Sequence, residues 1–264
     1  KLYKVNIDDS DDVKEIVYIP ELNHEFHNGP GYFDNNTNTL YFTRTKLVKK
    51  KRKTDNPDPT SWFKQGTDIY TNRLEIYTAE FVDGKWRNIS GYKHNNADEY
   101  SVGHPVLSPD GSTLYFVSDM PGGYGETDLY YSERQDDGEW GTPQNLGSQI
   151  NSEGKELFPS FDFKGKLFFS SNGHPGMGGL DLFEATGSKS NWTTPQNLKY
   201  PINSPKDDFA IIFTEPGTMG YFASNRNEGV GSDDIYSFEY SPPPPEPTEL
   251  ILAVKTMEKL DDGT

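Results

Sequence analysis

The chain has 264 residues and no cysteine, a length that suits one large domain or two small ones. Its formal net charge of −16 and its pI near 4.7 make nucleic acid or anionic lipid an unfavourable partner for the body of the protein. The lack of cysteine excludes disulfides and thiolate metal sites, and the sequence contains no apolar run of about 18 residues that would span a membrane.

Aromatic residues predict a folded core although the hydrophobic content is only 32%. The chain has 16 tyrosines, 16 phenylalanines and 4 tryptophans, whereas disordered chains are poor in such side chains. Each large ring buries about 150–250 Å² in a core. The rings recur at fixed places in a repeat, which marks them as the core residues.

The predicted elements begin in the middle of one repeat unit. Residues 2–5 read as a third strand and residues 15–19 as a fourth. The chain starts with Lys1 instead of methionine, so we expect a fragment or a processed form, with the two inner strands of this unit upstream.

The next unit carries a basic insertion between its second and third strands. Six positive charges fall within residues 46–53 of an acidic protein. The simplest interpretation is a solvated loop; the alternatives are a contact with an acidic partner or with lipid head groups. Two loop aromatics favour a partner contact. The candidate partner-binding residues are Lys49, Lys50, Lys51, Arg52, Lys53, Trp62 and Phe63.

The remaining units repeat at a constant interval of residues. Ser118, Ser171 and Ser224 lie 53 residues apart and follow similar aromatic strands. Glycine-rich loops come next, and then Asp128, Asp181 and Asp234 at the same interval. Units of this length with several short strands are typical of β-propeller blades. The recurring residues assigned a structural role are Asp110, Gly111, Asp128, Asp181, Asp234, Trp86, Trp140 and Trp192.

The sequence therefore predicts an all-β fold, a β-propeller of four-stranded blades over residues 1–241. Five blades, the first incomplete, are the main interpretation, and a four-bladed ring closed by residues 15–19 is the alternative. Residues 242–247 form a proline-rich linker of extended type, and residues 248–264 begin a further, truncated β domain.

Several phrases of the sequence resemble a known family. Ser108-Pro109-Asp110-Gly111 is similar to the mark of the PD40 (WD40-like) repeat, also found in TolB propellers. Residues 100–105, residues 114–122, Gly178-Gly179-Leu180-Asp181 and Ser224-Asn225-Arg226 resemble the propeller of the multidomain OmpA-family proteins of Bacteroidetes. That group includes the PorE-type component of the type IX secretion system. The resemblance covers about residues 1–240.

The resemblance implies a location and a set of partners. It implies a periplasmic protein that is associated with the outer membrane and works with other envelope proteins of a secretion or gliding complex. Peptidoglycan would be bound only through a domain outside this chain. The residues after the linker would begin a carboxypeptidase-regulatory-like domain.

Three kinds of chemistry compete with a purely structural interpretation. Asp128, Asp181 and Asp234 suit calcium, a hard cation, but their recurrence favours capping of loop amides. Four acids before inner strands, Glu153, Glu156, Asp207 and Asp208, suit a propeller glycosidase with a carboxylate pair. His24 and His27 lack a third metal ligand at short spacing.

We therefore expect a non-catalytic protein-binding or scaffolding module, with no catalytic residue, cofactor or metal site. An envelope carbohydrate-active enzyme and a calcium-stabilised adhesion module are the alternatives.

Overall fold

The fold is an all-β propeller. The computed structural model describes residues 1–7, 13–23, 25, 27–50, 69–214, 219–227 and 229–239. Within these ranges every regular element is a strand, and no helix is present that could cross a membrane. Four sheets are arranged as blades, and a two-stranded hairpin precedes them. The choice between five and four blades stays a prediction.

The hairpin consists of β1 (Tyr3–Ile7) and β2 (Val13–Tyr18). Its two strands pair antiparallel, with Tyr3 opposite Tyr18. These strands fall where the sequence predicts the third and fourth strands of the first unit.

Sheet I has four strands in consecutive order. Its inner strand β3 lies nearest the centre, and its outer strand β6 follows β5 through a tight turn at Asp83-Gly84. The strands are β3 (Asn28–Asp34), β4 (Thr39–Lys50), β5 (Ile69–Val82) and β6 (Lys85–Gly91).

Sheets II and III repeat the four-stranded order. Sheet II contains β7 (Val102–Leu107), β8 (Thr113–Ser118), β9 (Asp128–Glu133) and β10 (Gln144–Asn145). Sheet III contains β11 (Glu156–Phe161), β12 (Leu167–Ser171), β13 (Asp181–Ala185) and β16 (Gln196–Asn197), with the small hairpin β14 (Gly187–Ser188) and β15 (Asn191–Trp192) beside it.

Sheet IV has three strands in the described part of the chain, and no outer strand pairs with the last of them there. They are β17 (Asp208–Phe213), β18 (Met219–Ser224) and β19 (Asp234–Glu239). The predicted linker and C-terminal domain, residues 242–264, lie outside the described residues.

The structure corrects the predicted loop between β4 and β5. The sequence interpretation placed residues 46–50 in an insertion loop, but β4 continues to Lys50 and pairs with β5 from Ile69 onward. Strand formers on both strands, such as Val48 in β4 and Tyr70 in β5, extend the ladder because they suit a pleated surface. The first basic residues are therefore on a strand.

The cores lie between neighbouring sheets. In each seam, an apolar residue on the third strand of one sheet packs with an aromatic residue on the second strand of the next. Leu129 and Phe169 belong to such a core between sheets II and III. The other pairs are Ile76 with Phe116 and Leu182 with Phe222. Between the hairpin and sheet I, Leu2 directly precedes β1, is partly buried and packs against the core that contains Phe42. The matching residue of sheet IV, Ile235, is 79% exposed.

A repeated asparagine fixes each seam. Asn151 accepts a hydrogen bond from the Leu129 amide at 2.8 Å, and its own amide donates to the Leu129 carbonyl at 3.0 Å. Asn203 does the same with Leu182, and Asn95 with Ile76. Asn23 forms the same two hydrogen bonds with the amide and the carbonyl of Leu2. This shared contact puts β1 in the third-strand position.

Candidate functional site

The candidate site is the face of the propeller that carries the loops between second and third strands. Binding and catalytic residues are most often found on such loops, because a rigid scaffold holds them in place. On this face lie the glycine-rich loops, the four acids named above and the extension of β4 and β5.

The recurring aspartates close the glycine-rich loops. Asp128 accepts hydrogen bonds from the Tyr124 amide at 2.6 Å and the Gly125 amide at 3.1 Å. Asp181 accepts from the Met177 and Gly178 amides at 2.8 and 3.0 Å. Asp234 accepts from the Gly231 amide at 2.9 Å. These carboxylates thus act on the backbone of their own loops.

Glycine is required where each loop passes over its aspartate. A Cβ at Gly176 would lie 2.0 Å from the Asp181 carboxylate, and one at Gly229 would lie 2.1 Å from that of Asp234. Gly123 holds the equivalent place above Asp128. This close approach explains one glycine in each loop of sheets II, III and IV.

No group of three histidine, aspartate or glutamate side chains within the described ranges is close enough to hold a metal ion. His27 is described, and its carbonyl accepts the Thr45 amide. His24 lies outside those ranges.

Glu156, one of the glycosidase candidates, is fully buried. Its carboxylate accepts hydrogen bonds from the Ser152 hydroxyl at 2.6 Å, the Ser152 amide at 2.9 Å and the Ser171 hydroxyl at 2.7 Å. These bonds join the start of β11 to the chain before it and to β12.

Asp208 takes the equivalent place in sheet IV and is also fully buried. It forms an ion pair with Arg226 at 2.6 Å and accepts the Ser204 amide and hydroxyl. Its neighbour Asp207 accepts the Leu180 amide at 2.8 Å. Glu153 is exposed on the loop before β11. The sequence interpretation anticipated that these acids lie before the inner strands but not their hydrogen bonds.

The inner strands surround a small cavity of about 100 Å³ at the centre of the propeller. Pro30, Pro105 and Pro159 line it, together with Ile211. Each inner strand has a register shift near this point. The centre is therefore narrow and mostly apolar.

His104 was not predicted as a special residue, yet its position at this cavity is unusual. Its φ of 52° is in the left-handed region, as are those of Phe158 and Ala210 on the next two inner strands. The imidazole stacks on Phe158 with 4.3 Å between ring centroids, and its Nδ1 accepts the Phe158 amide. Burial lowers the pKa of His104 to about 4, so the ring is neutral at pH 7.

The extension of β4 and β5 is specific to sheet I. Beyond Arg44, the counterpart of Ser118, the two strands stay paired for six more residue pairs, from Thr45 opposite Leu74 to Lys50 opposite Ile69. We call residues 45–50 and 69–74 the ribbon. Lys49 and Lys50 are exposed on it. The other candidates, Lys51, Arg52, Lys53, Trp62 and Phe63, lie outside the described residues.

The Asp110-Gly111 turn joins β7 to β8. Asp110 accepts hydrogen bonds from the Ser108 hydroxyl and from the Ser112 amide and hydroxyl. These bonds hold the pKa of Asp110 below its ordinary value, the one from Ser108 most strongly. Gly111 has a φ of 70°.

Trp86, Trp140 and Trp192 lie on the seams. Trp140 and Trp192 are buried there, Trp86 packs on Phe81 with 5.1 Å between ring centroids, and the Arg134 guanidinium lies 4.4 Å above the Trp140 ring.

Comparison with known proteins assigns no family. No protein family's sequence profile matches the chain, and no curated protein matches it either. Among solved structures, an endo-arabinase from Bacteroides thetaiotaomicron aligns with a TM-score of 0.49 and 11% identity, over 87% of this chain and 81% of the arabinase.

Two further solved structures align more loosely. An alpha-L-arabinofuranosidase from Lactobacillus brevis has a TM-score of 0.41 and 12% identity, over 80% of this chain and 71% of that one. A puromycin-hydrolyzing peptidase from Mycobacterium tuberculosis has a TM-score of 0.44 and 12% identity. The alignment covers 75% of this chain but only 28% of the peptidase. Likeness at this level assigns no activity to the chain.

Proposed function

We propose that this chain is a non-catalytic protein-binding module of a periplasmic assembly associated with the outer membrane. Its resemblance to the OmpA-family propellers supports a place in secretion or gliding machinery, with peptidoglycan held by a domain outside the chain. The propeller serves as a rigid disc, and partners contact the loops and the ribbon on one face.

One observation supports the non-catalytic part of this proposal: the acids at the starts of the inner strands form structural contacts. A glycosidase needs a carboxylate pair that faces the substrate. Glu156 and Asp208 instead lie buried and accept hydrogen bonds from serines or pair with Arg226. Each joins the start of an inner strand to neighbouring backbone, which is a structural role.

Affinity purification from envelope extracts tests the binding role. The bait is the purified chain, and the control is a variant in which Asn-Gly replaces residues 47–72, so that Lys46 and Arg73 flank a tight turn. We expect envelope proteins that co-purify with the intact chain and are depleted with the variant. Failure of the intact chain to retain any envelope protein would refute the binding role.

Hydrolysis assays test the competing enzymatic role. We expect no turnover of arabinan, galactan or their aryl glycosides above that of a heat-denatured sample. Turnover that disappears in a folded Glu153→Gln or Asp207→Asn variant would replace the binding proposal with a glycosidase.

A further inference from the structure

The ribbon has two faces with different environments. In an antiparallel ladder, directly paired residues share a face. Lys46 and Arg73 are such a pair, and both are tied to the body of the propeller. Lys46 forms an ion pair with Glu75 at 3.0 Å, and Arg73 forms one with Asp119 of sheet II at 2.5 Å.

The opposite face points away from these contacts. Leu47 pairs with Asn72, and Lys49 pairs with Tyr70, so these four side chains lie together; we call them the outer ribbon face. All four are exposed, Leu47 at 43% and Tyr70 at 51%. Large apolar side chains exposed beside a lysine are typical of a protein contact, where aromatic residues act as anchors.

The ribbon also has strand edges that no other strand covers in the described residues. The ladder from β3 to β4 ends at Asn28 opposite Arg44, and the ladder from β5 to β6 ends at Tyr77 opposite Gly91. The Thr45 amide still donates to the His27 carbonyl, and the Leu74 amide to the Ser101 hydroxyl. Beyond these two residues, β4 and β5 pair only with each other in the described part of the chain. Unpaired edges accept an added strand from an extended peptide.

Charge decides the chemistry of the partner. Lys46 and Arg73 are already paired with acids, so the cations that count are Lys49 on the outer ribbon face and Lys50 next to it, both exposed in a chain whose net charge is −16. We propose that the outer ribbon face and its edge dock an extended, acidic protein segment with apolar side chains at alternate positions. This inference rests on the proposed binding role and names the chemistry of the partner.

An anionic bilayer fits these observations less well. The part of β4 beyond Arg44 spans about 20 Å at about 3.4 Å per residue, which is longer than the Debye length of about 8 Å at physiological salt. Salt therefore screens a short peptide bound at the end of the ribbon from electrostatic repulsion by the acidic body of the protein. A bilayer has no backbone groups that could pair with the unpaired strand edges, whereas an extended peptide has them.

Fluorescence anisotropy with defined probes tests the proposal. The probe is a labelled extended peptide in which glutamate alternates with valine, and its counterpart has lysine in place of glutamate. We expect the intact chain to bind the glutamate peptide at least about tenfold more tightly, with an affinity that falls as salt is raised.

Charge reversal in the ribbon should remove this preference. Lys49→Glu with Lys50→Glu should weaken binding of the glutamate peptide about tenfold, and Tyr70→Ser with Leu47→Ser should do so through loss of the apolar anchors. The matched control is Lys85→Glu with Lys164→Glu, two exposed lysines away from the ribbon, which should bind like the intact chain. Circular dichroism and melting curves verify that each variant is folded.

Two results would overturn the proposal. One is equal affinity of the intact chain and the Lys49→Glu, Lys50→Glu variant for the glutamate peptide, including no binding by either. The other is binding to phosphatidylcholine–phosphatidylglycerol vesicles without binding to the peptide. If this variant still retains the envelope partners of the intact chain, the ribbon proposal fails while the binding role stands.

Discussion

In each seam, the side-chain amide of one asparagine forms the hydrogen bonds that a neighbouring strand's backbone would otherwise form. The asparagine amide offers both a donor and an acceptor, so one residue satisfies the amide and the carbonyl of a buried strand residue. Asn151 and Asn203 are 2% and 0% exposed. The Ile-Asn pairs at 150–151 and 202–203 are visible as a repeat in the sequence. The sequence does not reveal the role of these asparagines, because each one bonds to a residue more than 20 positions earlier.

Loss of one such amide should destabilise the whole domain. Asn203→Ala leaves the Leu182 amide and carbonyl buried without these partners, which should lower the free energy of unfolding by about 3 kcal/mol. Urea denaturation measures this value. Asn227→Ala, at an exposed position, is the control and should change it by less than about 0.5 kcal/mol.

A second prediction at the scale of residues concerns the loop glycine that lies against the aspartate carboxylate. Gly176→Ala would force a Cβ against the Asp181 carboxylate, so we expect a loss of about 2 kcal/mol in the free energy of unfolding. Gly231→Ala is the matched control, because its Cβ would meet nothing nearer than 3.4 Å. Equal melting temperatures for the two variants would contradict the steric explanation.

His104 should give the protein an acid-sensitive component of stability. Its folded-state pKa of about 4 lies below the ordinary value of 6.5. Between these values the unfolded chain binds a proton that the folded chain does not, so stability falls as the pH drops from 6.5 toward 4 and is intact above 6.5.

Asparagine at this position accepts the left-handed conformation and does not titrate. The free energy of unfolding of His104→Asn should therefore fall less between pH 7 and pH 5, by about 1 kcal/mol, a figure reduced because His104 is partly exposed. Urea denaturation at both pH values gives the comparison. Parallel pH profiles for the variant and the parent protein would show that His104 has no part in acid sensitivity.

At the scale of elements, the regular strands are the part that the sequence predicts best. β8, β9 and β12 combine dense strand formers with turns at both ends, and their positions agree with the structure. The inner strand β7 is harder to predict from the sequence, because Gly103 and Pro105 are poor strand formers. Both lie at the register shift between Gly103 and Val106.

The ribbon shows why local composition misleads. A run of lysines usually marks a solvated loop, and this signal hides the strand formers Leu47 and Val48, with which β4 extends to Lys50. Its pairing partner in β5 begins at Ile69, after a long intervening stretch. Likewise, Glu156 and Asp208 could be located before inner strands, but their burial depends on Ser171 and Arg226, which come from the neighbouring strand and loop.

Thr45, Lys46, Arg73 and Leu74 make contacts between the ribbon and the described propeller, and all four residues remain when residues 47–72 are removed, so this removal should leave the fold intact. The variant with Asn-Gly in place of residues 47–72 keeps both ion pairs of Lys46 and Arg73, and such partly exposed pairs contribute about 0–1 kcal/mol each. We expect a melting temperature within about 4 °C of the parent. Differential scanning calorimetry measures it, and a collapse of the cooperative transition would make the ribbon part of the core.

At the scale of the molecule, the seams between neighbouring sheets are similar, but the two ends of the series, the hairpin and sheet IV, differ from the rest. The seams between sheets I and II, II and III, and III and IV each bury a third-strand Leu or Ile beneath the next sheet, whereas Ile235 of sheet IV stays exposed. The hairpin likewise exposes Tyr3, Val5 and Ile16. We propose that the repeats form a rigid scaffold and that the departures from the repeat, above all the ribbon, offer surface to partners. This proposal requires that the buried acids have a structural role and not a catalytic one.

The most direct measurement is therefore the urea unfolding of Asp208→Ala. Removal of this carboxylate leaves Arg226, whose side chain is 15% exposed, without its ion pair and Ser204 without its acceptor. The binding account predicts a loss of about 3 kcal/mol in the free energy of unfolding. An unchanged free energy of unfolding would contradict it, because an acid that can be removed without cost to the fold is free to serve chemistry.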